Sequence, residues 1–251
     1  MVAATTSSFN ISRDAWVPAL SGGLFQSAVV YALLASVLFV PVGVAVLVFF
    51  VHPVLIAIFA HLRGREQLTT TQMLAMLGVI GGLMAILLPG AETLDARGLG
   101  LAALAALGMC GVVLCAARAQ EHASSVMVNL VSTAGSVLAF AILTAILGGW
   151  TTPREAAGWL GVVLAGFGIG VGLLAFLAAL RRIGPVRASM LTIIEPLLGA
   201  ALATLFLGER LGAVQWAGAA FMVAALVVFE AGARKVAHSR ARGVASDVRG
   251  K

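Results

Sequence analysis

Charge is what this sequence has least of. Asp, Glu, Lys and Arg make up 10% of its 251 residues, against roughly 25% in soluble domains. Together with a mean hydropathy of +1.07, that scarcity excludes a soluble globular protein and leaves an integral membrane protein. Cysteine is nearly missing as well. Cys110 and Cys115 lie five apart in one apolar run, a spacing that gives neither a disulfide nor a metal site. Apolar stretches contain no paired acids, no Ser-His or Ser-Lys arrangement and no metal-ligand cluster, and His61, His122 and His238 fall at run ends or in the tail. Neither an enzyme nor a metal or other cofactor is therefore expected. Residues 1–16 lack a charged start followed by an apolar core, so no cleavable signal is evident. Asn10-Ile11-Ser12 matches a glycosylation acceptor, but the topology below puts it on the wrong side.

Long apolar runs are what remain. They fall at about 17–39, 41–62, 70–89, 98–117, 125–149, 157–180, 185–207 and 213–230, each close to the ~20 residues an α-helix needs to cross a bilayer. None alternates as a strand would, and open backbone cannot face lipid. The expectation is an all-α, polytopic membrane bundle of about eight helices. The few charges orient it. With the N-terminus on one side, that side collects 13 of the 16 basic residues, and the other holds only Arg97, Arg154 and Arg210. Lys and Arg mark the cytoplasmic side, so both termini are expected there, in the cell membrane. The tail at 232–251 is basic and reads as a disordered segment drawn to anionic lipid. It has no aromatics or folded module with which to read nucleic acid.

The sequence also repeats. An offset of 143 lays Pro196 over Pro53, Glu209 over Glu66 and Gln215 over Gln72 without a gap. The orientation runs the two copies in opposite directions, as in inverted-topology transporters. Here IIEPLLGAALATLFLGERLGAVQWAGAAFMVAAL and VPVGVAVLVFFVHPVLIAIFAHLRGREQLTTTQMLAMLG resemble the ends of the second and first EamA repeats of the drug/metabolite transporter superfamily. The organisation expected is a polar segment at 1–16, a partial first repeat of three helices at 17–90, a second of five at 98–231, and the tail. Family members usually have ten helices, so two are expected to be missing before Val17. The resemblance implies a secondary transporter that moves a small metabolite, amino acid or drug by alternating access. The alternative is a truncated, transport-incompetent membrane subunit, or an oligomer such as a homodimer that completes the cavity.

Polar groups at membrane depth are the candidate site. Glu195, next to Pro196, is the main one, because a carboxylate at the bilayer centre costs about 2.5–3.5 kcal/mol on insertion scales. It is a candidate to take up and release a proton. His52, next to Pro53, occupies the equivalent position and could form a proton-linked pair with it. Pro53 and Pro196 free the carbonyls of Phe49 and Thr192, which then need new partners. Asn129, Ser132, Thr133 and Ser136 share one helical face. Gln26, Ser27, Tyr31, Ser189 and Thr192 add further polar groups. A cavity so lined suits a small polar or amphipathic solute. No Arg or Lys lies deep in a run, and Arg187 is expected at the cytoplasmic mouth, which disfavours phosphorylated solutes. Glu66 and Glu209 are expected to cap or pair at helix ends beside Arg65 and Arg210. Gly166/Gly170 and Gly168/Gly172 read as a close-packing face. Their spacing is not a dinucleotide fingerprint, and no strand precedes them.

Overall fold

In a computed structural model, residues 12–64, 68–87, 95–148, 151–206 and 212–249 are described. At 86–87, 199–200, 203–204, 206 and 233–249 the description is of the backbone alone. Among the described residues there is helix and no strand. The helices are α1 (Arg13–Ser36), α2 (Val42–Phe49), α3 (His52–Leu62), α4 (Thr70–Leu87), α5 (Ala96–Ala119), α6 (Ser125–Leu147), α7 (Ala156–Ile183), α8 (Pro185–Leu191), α9 (Ile194–Phe206) and α10 (Ala213–Arg249). α2 and α3 form one kinked span, and α8 and α9 occupy the run at 185–206 as an interrupted one. The ten helices therefore fill the eight expected runs. Among the described residues, six stretches are long and apolar enough to cross a membrane by themselves, and the apolar part of α4 is shorter.

Three helices of the second copy begin 143 residues after their counterparts: α7 after α1, α8 after α2, and α10 after α4. The repeat seen in a few Pro, Glu and Gln residues therefore extends to the starts of three helix pairs. Gln72 and Gln215 show why glutamine recurs. Each is the third residue of its helix, and its Oε1 accepts from the backbone N–H just ahead of the helix, from Thr69 at 3.0 Å and from Gly212 at 2.8 Å. Thr69 returns the bond by accepting from the Gln72 N–H, which completes a capping box. Glu66, Glu209, Arg65 and Arg210 lie outside the described residues, as does Asn10.

The chain divides into two compact units, Met1–Leu34 with Leu104–Ala188, and Ala35–Ala103 with Ser189–Lys251. In the first, glycines let α1 approach α5 and α6 closely. A Cβ at Gly108 would stand 2.8 Å from Val29, one at Gly111 2.9 Å from the Phe25 ring, and one at Gly23 would overlap the Ser132 carbonyl. α1 and α6 run parallel, since Ser132 Oγ donates to the Ala19 carbonyl and Ser136 Oγ to that of Gly23, both at 2.8 Å. α7 joins this unit through its C-terminal third. Gln120 Nε2 donates to the Leu177 carbonyl at 2.8 Å and Arg181 to that of Ala123 at 3.2 Å.

The core of the second unit is α4 against α10. Gly78 faces Ala225, Gly82 faces Met222, and Gly218 faces Ala85. One number rises as the other falls, so the helices are antiparallel. α4 and α10 are equivalent members of the two copies, and their crossing is the inverted repeat in its most direct form. Close approach at Gly82 and Gly218 brings backbone to backbone, the way small residues hold membrane helices together. At the N-terminus of α5, Asp95 Oδ1 accepts from the Arg97 N–H at 2.8 Å and the two side chains form an ion pair at 2.8 Å. The Arg97 side chain holds the Asp95 carboxyl below the usual carboxylate range.

The tail departs from expectation. Expected to be disordered, it continues α10 to Arg249. The reason is that a helix already nucleated in the membrane needs only propagation, and the tail is rich in Ala and Arg, which favour it. The glycines of α7 depart more. Expected to pack, they meet nothing: a Cβ at Gly161, Gly166, Gly168, Gly170 or Gly172 would have no neighbour within 4 Å.

Candidate functional site

Both expected helix breaks exist, each just ahead of its proline. In the first copy the chain leaves α2 at Phe50 and re-enters helix at Val51, which caps α3 with near-helical dihedrals. Pro53 then sits in the first turn of α3, where its missing N–H costs nothing. In the second copy the interruption is at Thr192 and Ile193, and Pro196 sits in the first turn of α9.

The carbonyls freed by the prolines find different partners in the two copies. His52 Nδ1 lies 2.9 Å from the Phe49 carbonyl. A carbonyl oxygen only accepts, so the ring nitrogen carries the proton and donates it. His52 is buried and tilted against the rings of Phe49 and Phe50. In the second copy the Thr192 carbonyl accepts from the Glu195 backbone N–H at 2.9 Å, and Thr192 Oγ1 donates to the Ser189 carbonyl at 2.7 Å. The backbone therefore does there what an imidazole does in the first copy, and the Thr192 hydroxyl serves a different carbonyl, that of Ser189. The Glu195 carboxyl is not needed for the kink, and Glu195 is exposed.

The polar face of α6 divides in two. Ser132 and Ser136 give their hydroxyls to α1. Ser27 Oγ donates to the Gly23 carbonyl on its own helix at 3.1 Å and reaches the Ser136 carbonyl at 3.4 Å. These groups hold two helices together, a role that sequence spacing alone does not separate from cavity lining. Thr133 and Tyr31 are exposed, and Asn129 is half-buried. Among the described residues, the buried oxygens Gln26 Oε1, Asn129 Oδ1 and Ser189 Oγ have no hydrogen-bond partner. Unsatisfied acceptors inside a bundle carry a desolvation cost of about 1–3 kcal/mol each. Arg187 is half-buried in α8. An apolar crevice of about 240 Å³ lies between α1 and α6, against Trp16, Leu20, Leu130 and Leu138. Its lining offers nothing to orient a polar ligand. Among the described residues no cluster of His, Cys, Asp or Glu could hold a metal.

Comparison with known proteins agrees with this architecture. The EamA-like transporter family matches residues 1–88 and 96–230. A Sinorhizobium protein described as an uncharacterized transporter in the cobO 3' region is 33% identical over 98 residues, 38% of this chain and 70% of that relative. A solved crystal structure superimposes with a TM-score of 0.74 at 20% identity, covering 90% of this chain and 78% of that one, and so shares the fold. With two antiparallel copies, a broken helix in each and a family match through both, the chain belongs to the EamA-like transporter family and is a multi-pass membrane transporter of the drug/metabolite type.

Proposed function

We propose that the chain is a secondary transporter that carries a small organic metabolite, amino acid or drug by alternating access of its two inverted copies, with Glu195 exchanging a proton or contacting the solute. The observation that carries this reading is the exposure of Glu195 in the first turn of α9, beside a helix break it does not stabilise. An ionisable group at membrane depth that touches no lipid-compatible partner opens on water or on protein, because acyl chains cannot solvate it. In the first unit Gln26 and Asn129 hold buried acceptors without a partner and Tyr31 is exposed, and in the second Thr192 stands at the helix break. The absence of deep Lys or Arg in the sequence points the solute class away from phosphate esters. The location is the cell membrane with both termini cytoplasmic, as the distribution of basic residues directs.

The test is flux in proteoliposomes with an imposed pH gradient. Radiolabelled amino acids and a fluorescent amphipathic dye serve as probes, in the unaltered chain and in Glu195→Gln. A gradient-dependent flux that Glu195→Gln uncouples is the expected result. Flux that ignores the gradient equally in both removes the proton role. The bare surface of α7 favours a second reading, in which the chain is a membrane subunit that transports only with a partner. Under that reading the purified chain alone shows no flux with any probe.

A further inference from the structure

The crevice between α1 and α6 has a shape that sorts its possible occupants. Along α6 it runs from Leu130 to Leu138, which is about 12 Å at the helical rise. A volume of about 240 Å³ spread over that length leaves a mean section of about 20 Å², whereas a helix 10–12 Å across fills about 80–110 Å². The crevice is therefore a slot for one linear chain, too narrow for a further helix. Its lining is apolar, and Trp16, Leu20, Leu130, Ala134 and Leu138 are exposed along it. A polar solute gains nothing there, and the slot is open from the side.

The mouth of the slot is charged. Ser132 reaches the Ala19 carbonyl and Ser136 that of Gly23, both at an offset of 113 residues, so Arg13 stands level with Val126 in the first turn of α6. Arg13 is exposed and lies one turn, about 4.5 Å, outside Trp16. Around the α1 axis it is about 60° from Trp16 and about 20° from Leu20, while Asp14 is turned about 120° or more from both. The guanidinium therefore stands over the slot without its acidic neighbour. α6 starts at the same level, and the positive end of its dipole adds to that charge. Trp16 fits the same boundary, since tryptophan gathers where a membrane meets water.

We propose that this slot binds a single anionic phospholipid, with one acyl chain lying along Leu20, Leu130, Ala134 and Leu138 and the phosphate against Arg13. Any lipid supplies the tail, and the tails around it are as apolar as the slot, so the acyl chain alone gives no selectivity. The headgroup does. One basic residue at a membrane surface favours an anionic lipid about fivefold. The site depends on insertion in a membrane and not on transport, so the flux experiments do not decide it.

The test reads Trp16 itself. In the full chain carrying Trp150→Phe, Trp159→Phe and Trp216→Phe, Trp16 is the one tryptophan left. This parent is reconstituted in phosphatidylcholine vesicles, into which phosphatidylglycerol or phosphatidylcholine with brominated acyl chains is titrated, since bromine quenches only a tryptophan it touches. Half of the quenching is expected at about fivefold lower content of the brominated phosphatidylglycerol. Arg13→Gln brings the two curves together. So does Ala134→Phe, which fills the slot from an exposed position. Ala141→Phe, exposed on α6 beyond the slot, keeps the difference. Helix content by circular dichroism, unchanged in all three, separates a lost preference from unfolding. Coincident curves in the parent, a preference that survives Arg13→Gln or Ala134→Phe, or one lost in Ala141→Phe as well, overturns the inference. So does a Trp16 that neither lipid quenches, which would mean that protein covers the slot.

Discussion

Gly81 and Gly82 are neighbours on α4, and the same substitution in each has opposite expected effects. Gly82 lies where α4 crosses α10, and a Cβ there would stand 2.7 Å from the Gly218 carbonyl oxygen and the Met222 Cβ, and 2.8 Å from the Met222 nitrogen. Two of these three are backbone atoms, which cannot rotate away. Restoring ordinary contact requires the helices to separate by about 0.7 Å, against the close packing of protein interiors. Overpacking of this kind costs roughly 1–3 kcal/mol. Gly81 faces the ring of Phe221 at 3.8 Å, where a methyl group makes ordinary contact. Both substitutions to alanine gain the same helix propensity, up to about 1 kcal/mol, so the difference between them isolates the strain. Gly82→Ala is therefore expected to be about 1–3 kcal/mol less stable than Gly81→Ala, with Gly81→Ala equal to or above the unaltered chain. SDS titration in mixed micelles, followed by the fluorescence of the four tryptophans, reads this directly. Gly218→Ala, whose Cβ would stand 2.6 Å from that of Ala85, is expected to behave like Gly82→Ala. The double variant loses less than the two losses added, since one separation relieves both clashes. Two single variants that agree within about 0.5 kcal/mol, the usual scatter of independent sites, would refute the antiparallel crossing that defines the inverted repeat.

Ser132→Ala and Ser136→Ala each remove one α6-to-α1 hydrogen bond and are expected to cost about 0.6 kcal/mol apiece in the same titration. Thr133→Ala, at an exposed neighbour, should be silent there, and a Thr133 effect equal to theirs would count against the interface. His52→Leu strips the Phe49 carbonyl of the ring N–H and is expected to destabilise by about 1–3 kcal/mol. Glu195→Gln should leave stability unchanged by the same assay, since its carboxyl supports neither the break nor the packing.

The eight crossings were legible because a bilayer demands long apolar runs and tolerates few charges, and both constraints show in the residues themselves. The repeat was legible through Pro53/Pro196 and Gln72/Gln215, because helix breaks and helix caps need particular side chains at fixed positions. What α7 would pack against was not. Glycine spacing records that a helix can be approached closely but not by what. The serines of α6 misled for a related reason. A hydroxyl aimed at a neighbouring carbonyl and one aimed at a solute sit on the same face of the same helix, and only the position of α1 separates them.

The most informative pair is His52 and Glu195. They occupy equivalent positions, each just ahead of the proline that breaks its helix, and the same problem arises in both copies: a carbonyl four residues before the proline loses its usual donor. In the first copy His52 solves it, which buries the imidazole and commits Nδ1. In the second, the Glu195 backbone N–H solves it in a tighter turn, which relieves the side chain at 195 of any structural duty. A duplicated position freed in one copy can hold a carboxyl that a buried position could not, since an unpaired charge is tolerated only where water or a ligand reaches it. This asymmetry reverses the simple expectation of a matched proton-linked pair. If a titrating group serves transport, it is Glu195, with His52 holding the opposite helix in its bent shape. A His52→Gln chain that keeps gradient-driven flux while Glu195→Gln loses it is the outcome this argument requires, and loss of coupling in both would restore the pair.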